Sequence, residues 1–152
     1  MISLIQRVTE AWVDIEGKRV ASIETGILAL VGVERGDATA QVNRLLERLL
    51  AYRVFPDDQG RMNRSLADIQ GGLLLVPQFT LVADTAKGNR PGFSRGAAPQ
   101  DGRRLFEELL TLARSRHQTV GSGQFGADMQ VGLVNDGPVT FWLQVPPEGS
   151  ER

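Results

Sequence analysis

The sequence has no cysteine, one histidine, one tyrosine and two lysines among its 152 residues. Without cysteine there can be no disulfide framework, no zinc–thiolate site and no thiol nucleophile. Any Ser-His-Asp triad would have to be built around His117. That residue falls at the end of a helical pattern, where a surface side chain complementing the helix dipole is expected. Metal binding would fall to carboxylates. Asp57, Asp58 and Asp84 are available, but each reads as a turn residue, so no metal or other cofactor is expected. Long apolar runs are also missing. The longest, Ile27 to Val31 and Leu73 to Val76, are too short to cross a bilayer, so no membrane partner is expected. Residues Met1 to Arg7 lack the basic-then-apolar pattern of a secretory leader. There is no Walker loop and no G-x-G-x-x-G.

The net charge of −1 gives no global attraction to nucleic acid, and DNA is not an expected partner. Of the 17 basic residues, all but Lys18 and Lys87 are arginine. The planar guanidinium suits phosphate. Codon preference in a GC-rich genome is the plain explanation for most of these arginines, so any RNA surface must be a local patch.

Strand signals come first and last. Ile2 to Thr9 runs into Trp12 to Ile15, Glu16-Gly17-Lys18 reads as a turn, and Arg19 to Ile23 as the return. Gly26 opens an apolar strand through Val33. Ala38, Val42, Leu45, Leu46, Leu49 and Leu50 then recur at helical spacing, with Asp37 as the expected N-cap. Asp57 to Gly60 forms a turn. Leu73 to Val76 reads as a strand buried on both faces. Asp84 to Gly96 is a loop, and Pro99 suits the first turn of a second helix ending near His117. Met129 to Val134 and Val139 to Val145 read as two strands of a hairpin around Asn135-Asp136-Gly137-Pro138. The pattern, about seven strands and two main helices, implies an α+β fold. A single domain over 1–147 is expected, its mostly antiparallel or mixed sheet covered by the helices, with a polar, frayed tail over 148–152.

Two segments carry candidate chemistry. The first is Pro77-Gln78-Phe79-Thr80-Leu81. Proline lacks the N–H a ladder needs, so the sheet must end or bulge there and expose backbone amides. Read as strand, the segment places Gln78 and Thr80 on one side at period two. Exposed amides with a hydroxyl at a strand end can stabilise an oxyanion; an ordinary strand terminus reads the same way. The second is Asn135-Asp136-Gly137-Pro138-Val139-Thr140, where proline follows a turn and disturbs the returning strand. A trans-proline hairpin and a cis peptide both fit that spacing.

In this order the two segments resemble the D-aminoacyl-tRNA deacylases of bacterial and eukaryotic type. The resemblance extends from Ile5-Gln6-Arg7-Val8 and Gly32-Val33 through Arg53-Val54-Phe55, Met62-Asn63 and Gln78-Phe79-Thr80-Leu81. It continues through Arg90-Pro91, Phe93 and Phe125-Gly126-Ala127-Asp128-Met129 to Asn135-Asp136-Gly137-Pro138-Val139-Thr140. One departure is Pro77, where the family usually has serine. The resemblance implies a cytoplasmic homodimer that hydrolyses D-aminoacyl-tRNA and glycyl-tRNA. It implies a cis Gly137-Pro138 bond that enters the partner subunit's pocket, its carbonyls facing the substrate amine, so that an L side chain collides. It implies an oxyanion site at Phe79 N–H beside Gln78, with water activated by the terminal ribose hydroxyl.

Thr80 is expected to orient substrate, since its segment offers no histidine or lysine as base. Arg7 is expected to bind at the site or brace the proline motif. Phe125 and Met129 are expected at the terminal adenosine, with core packing the alternative for both. Lys87, Arg90 and Arg95 are expected at tRNA phosphates. Two other classes remain open: a non-catalytic tRNA-binding module of the same fold, favoured by Pro77, and a small-molecule hydrolase with Thr80 as nucleophile.

Overall fold

The computed structural model describes residues 1–150, so the end of the expected tail lies outside the described residues. The chain forms β1 (Ile2–Ile15), β2 (Lys18–Ile23), β3 (Gly26–Gly32), α1 (Thr39–Ala51), β4 (Arg53–Pro56) and β5 (Met62–Ser65). It continues with α2 (Leu66–Ile69), β6 (Gly72–Pro77), α3 (Pro99–Arg116), β7 (Val120–Ser122) and β8 (Gln130–Gln144). This is the α+β arrangement, with one strand more and one short helix more than the sequence pattern suggested. The four residues of α2 are too few to show a helical period; they are fixed by a cap, Asp68 N–H donating to Ser65 Oγ at 3.1 Å.

The main sheet runs β2-β1-β3-β6-β7, and β8 pairs antiparallel with β1. The β3–β6 and β6–β7 pairs are parallel; the others in this sheet are antiparallel. Strands β3 and β6 are apolar along their whole length because both faces are covered. Ile27, Ala29, Val31, Leu73 and Leu75 face the core under α1 and α3, with Leu45, Leu46, Leu49, Leu105, Phe106 and Leu109. Leu28, Leu74 and Val76 face a second core with Val8, Ala11, Val13 and Ile23. The sheet therefore curls on itself, as in a barrel, so that distant parts of β1, together with β2 and the start of β8, close over the back of β3 and β6.

Four local expectations are corrected. Asp37 does not cap α1; Ala38 holds that position, and Gln41 Oε1 accepts from its N–H at 2.8 Å. The Asp37 carboxylate accepts instead from the Met1 α-ammonium at 2.8 Å and from Glu34 N–H at 2.7 Å. Burial holds its carboxyl above the ordinary value, and the Met1 ammonium offsets only part of that rise.

His117 is not a surface side chain at the end of α3. It is 7% exposed, and its Nε2 lies 2.5 Å from the Gly71 carbonyl. The α3 terminus folds back onto the loop before β6, which covers the imidazole and gives its ring nitrogen a backbone partner.

The segment from Gln130 to Gln144 is a single strand, not a hairpin. Both halves pair with β1, and the Asp136–Val139 stretch is a bulge within it. The sequence could not distinguish these because the turn residues of a hairpin are also those of a bulge.

The stretch Phe79–Val82 is a 3-10 turn, so Gln78 and Thr80 do not share a strand face. Just before the expected tail, Gln41 Nε2 donates to Pro146 O at 3.5 Å.

Candidate functional site

Strand β6 stops at Pro77, opposite Val31, where proline cannot donate to a neighbour. Gln78 N–H donates to Val31 O at 2.8 Å, which anchors the chain before it enters the 3-10 turn. Leu81 N–H closes the turn on Gln78 O at 3.1 Å. The amides before it, those of Phe79 and Thr80, have no acceptor inside the turn. The Gln78 side-chain amide donates to Thr80 Oγ1, so a side-chain contact joins the two residues although no strand face does.

This corner opens on a cleft of about 480 Å3, a size that suits a small ligand. One wall is Val76 to Phe79 with Val82; the second is Phe93, Gly96, Ala97 and the start of α3; the third is Phe125 to Met129 with Val131. Most of this lining is apolar, and Asp128 brings its one ionisable side chain. Gly102 matters at the second wall: a Cβ there would come 3.2 Å from the Phe125 ring. Arg103 lies over the outer face of that ring, 5.2 Å from its centroid, and its Nη2 donates to Phe125 O at 3.5 Å. Met129 Sδ accepts from Gln124 N–H at 3.4 Å, which steadies the loop carrying Phe125.

The second motif is built on β1. Gln6 pairs with Thr140 and Val8 with Asn135, so Asp136 to Val139 all stand opposite Arg7 alone. Arg7 Nε donates to Asp136 O at 3.0 Å, and Nη1 to Val54 O at 2.7 Å. Asn135 Oδ1 accepts from Val139 N–H at 2.8 Å, and its Nδ2 donates to Thr140 Oγ1 at 2.9 Å. Gly137 sits at φ +147°, where a Cβ would come 2.5 Å from Val139 Cγ2. The Gly137–Pro138 peptide is cis. Both residues are exposed.

The fold thus brings Gln78, Phe79, Phe125 and Met129 to one cleft. Phe125 and Met129 also pack against the two cores, so the lining and core readings both apply to them. Thr80 is exposed at the rim and does not line the cleft. Arg7, Gly137 and Pro138 do not line the cleft of their own chain either. Lys87, Arg90 and Arg95 are exposed on the loop beside the second wall. Sequence reasoning gave no role to Phe93, Gly102 or Arg103. Gly102 carried a signal, a glycine inside a helical pattern, which often marks a close approach.

A family model described as D-Tyr-tRNA(Tyr) deacylase matches residues 4–144. A D-aminoacyl-tRNA deacylase of Thioalkalivibrio sulfidiphilus is 62% identical over 147 residues, covering 97% of this chain and 99% of the relative. One from Methylococcus capsulatus is 61% identical over 148 residues, covering 97% of each. A solved structure titled c-Myc DNA Unwinding Element Binding Protein superposes with a TM-score of 0.92 at 34% identity, covering 96% of this chain and 99% of that one.

Proposed function

The chain belongs to the D-Tyr-tRNA(Tyr) deacylase family, and from that premise we propose that it hydrolyses the ester joining a D-amino acid to the terminal ribose of tRNA. The observation that carries this reading is the amide corner at Gln78-Phe79, opening on an apolar cleft. An aminoacyl ester is already reactive, so positioning and charge stabilisation supply most of what catalysis needs. Water adds to the ester carbonyl, and the carbonyl oxygen becomes an oxyanion facing Phe79 N–H. The C–O bond to ribose then breaks, and the ribose oxygen takes a proton. The neighbouring ribose hydroxyl helps to orient the water. Gln78 and Thr80 hold each other at the rim; an amide cannot accept a proton from Thr80, so the threonine orients rather than attacks.

Selectivity comes from the Gly137-Pro138 corner of a second subunit. The corner is exposed, braced by Arg7 and Asn135, and absent from its own cleft. A homodimer that inserts it into the partner's cleft sets backbone carbonyls against the substrate α-amine. A hydrogen fits against this wall and an L side chain does not, so D-aminoacyl and glycyl esters enter. Phe125 and Met129 flank the terminal adenosine, and Lys87, Arg90 and Arg95 approach acceptor-stem phosphates.

Incubation with D-tyrosyl-tRNA and L-tyrosyl-tRNA tests the reading. Release of D-tyrosine with L-tyrosyl-tRNA left intact is expected. Binding without release would identify a tRNA-binding module, and a covalent acyl-threonine formed without tRNA would identify the Thr80 hydrolase.

A further inference from the structure

Six large hydrophobic side chains are exposed among the described residues: Val20, Met62, Phe79, Phe93, Val134 and Trp142. Of these, Phe79 and Phe93 line the cleft. They are 67% and 45% exposed, yet they touch each other, with ring centroids 5.4 Å apart and planes inclined at 43°. Rings recruited for packing would be covered; this pair turns aromatic surface to solvent at the cleft mouth.

The pair is held in place. Phe79 begins the 3-10 turn. Phe93 sits at the base of its loop, where Asp84 and Gly92 exchange hydrogen bonds of 2.7 and 2.9 Å. Gly96 N–H donates to Phe93 O at 3.2 Å, and Arg35 N–H to Arg95 O at 2.8 Å. The same loop, 84–96, carries Lys87, Arg90 and Arg95 against one acidic residue, Asp84, in a chain whose net charge is −1. Rigid exposed aromatics beside a local positive patch are what single-stranded nucleic acid recognises: rings stack on bases and cations meet phosphates.

We infer that Phe79 and Phe93 form a stacking platform for an unpaired base of the tRNA 3′ end, next to the nucleotide whose ester occupies the cleft. This rests on the function proposed above and adds to it a subsite for a second nucleotide. Lys87 and Arg90 lie on the loop that would follow its backbone. A stacking platform reads no sequence, because every base has a flat face. It therefore suits an enzyme that takes substrates from many tRNAs.

The test is steady-state deacylation of D-tyrosyl-tRNA, D-alanyl-tRNA and 3′-O-D-tyrosyl-adenosine, which lacks every nucleotide but the last. Wild type is compared with Phe93→Ala, Phe93→Leu and Phe93→Tyr. Phe93→Leu keeps apolar bulk without a ring, so it reports on stacking even where the alanine variant folds poorly. The expected result is a KM raised roughly fivefold to a hundredfold for both tRNAs with alanine or leucine, a clearly smaller change for the adenosine ester, and near-normal values with tyrosine. Equal losses on all three substrates would assign Phe93 to the ester pocket and overturn the proposal. A loss confined to D-tyrosyl-tRNA would assign the rings to the amino-acid side chain, and dissociation into monomers on sedimentation would assign them to a subunit interface; either overturns it. Wild-type inactivity on all three substrates would instead remove the deacylase reading itself.

Discussion

Arg7 holds the backbone of Asp136: its Nε donates to the Asp136 carbonyl at 3.0 Å, while Nη1 donates to Val54 O at 2.7 Å. One guanidinium thereby ties β1, β4 and the β8 bulge together, and its side chain is only 12% exposed. The adjacent Asp136 carboxylate, 3.5 Å away and half exposed, adds little, because solvent screens such a pair. The bracing therefore comes from the two carbonyl contacts. Arg7→Ala should let the Gly137-Pro138 corner move. The expected outcome is a fall of about tenfold or more in the ratio of D- to L-tyrosyl-tRNA deacylation, equivalent to about 1.4 kcal/mol of discrimination. An unchanged ratio in a folded variant would separate Arg7 from selectivity.

Thr80→Ala should retain deacylation, reduced by about tenfold or less, since losing one orienting hydrogen bond costs about 0.5–1.5 kcal/mol. Single-turnover assays with D-tyrosyl-tRNA measure this. Complete loss of turnover with intact tRNA binding would make Thr80 the nucleophile.

His117→Ala leaves the Gly71 carbonyl without its imidazole partner in a buried site. Stability should fall by about 1–3 kcal/mol. Activity per folded molecule should stay near wild type, because His117 lies outside the cleft. Urea denaturation together with deacylation assays checks both halves.

Gly132 pairs with Trp12 across β8 and β1, and the indole lies where a Cβ on Gly132 would project. Arg19 covers the ring at 5.0 Å from its centroid. Gly132→Ala must therefore displace the indole. A loss of about 1–3 kcal/mol is expected from overpacking, read by denaturant titration of Trp fluorescence.

Acid should loosen the β4–β5 hairpin and α2 first. Hydrogen bonds from Asn63 and from the Arg61 amide hold the Asp57 carboxyl below its ordinary value. The Ser65 backbone and hydroxyl do the same for Asp68. For both, the folded pKa lies below the unfolded one. Their contribution is thus present above about pH 3.9 and lost as pH falls through the lowered values. Amide exchange at Ser65 and Asn63 should rise over that acid range, and Asp68→Asn should remove the pH dependence at α2.

Much of the fold was already legible in the order of residues. The helical spacing of Leu45, Leu46 and Leu49, the proline at the first turn of α3 and the unbroken apolar run of β6 each reflect a local rule: one buried stripe, one missing N–H, two covered faces. The motifs Gln78-Phe79-Thr80 and Asn135 to Thr140 marked the candidate chemistry because proline at each interrupts a ladder. What failed were the assignments that depend on a distant partner. The Asp37 side chain turned to the Met1 ammonium, His117 to the Gly71 carbonyl, and the expected hairpin became one strand because β1 is long enough to pair with both halves. Local pattern fixes which backbone groups need partners; only the folded chain decides which of them meet. The cleft follows that division. Its amide corner is written in a tripeptide, but its walls come from a loop, a helix start and the stretch before β8, segments that hydrophobic collapse brought together and no sequence period connects.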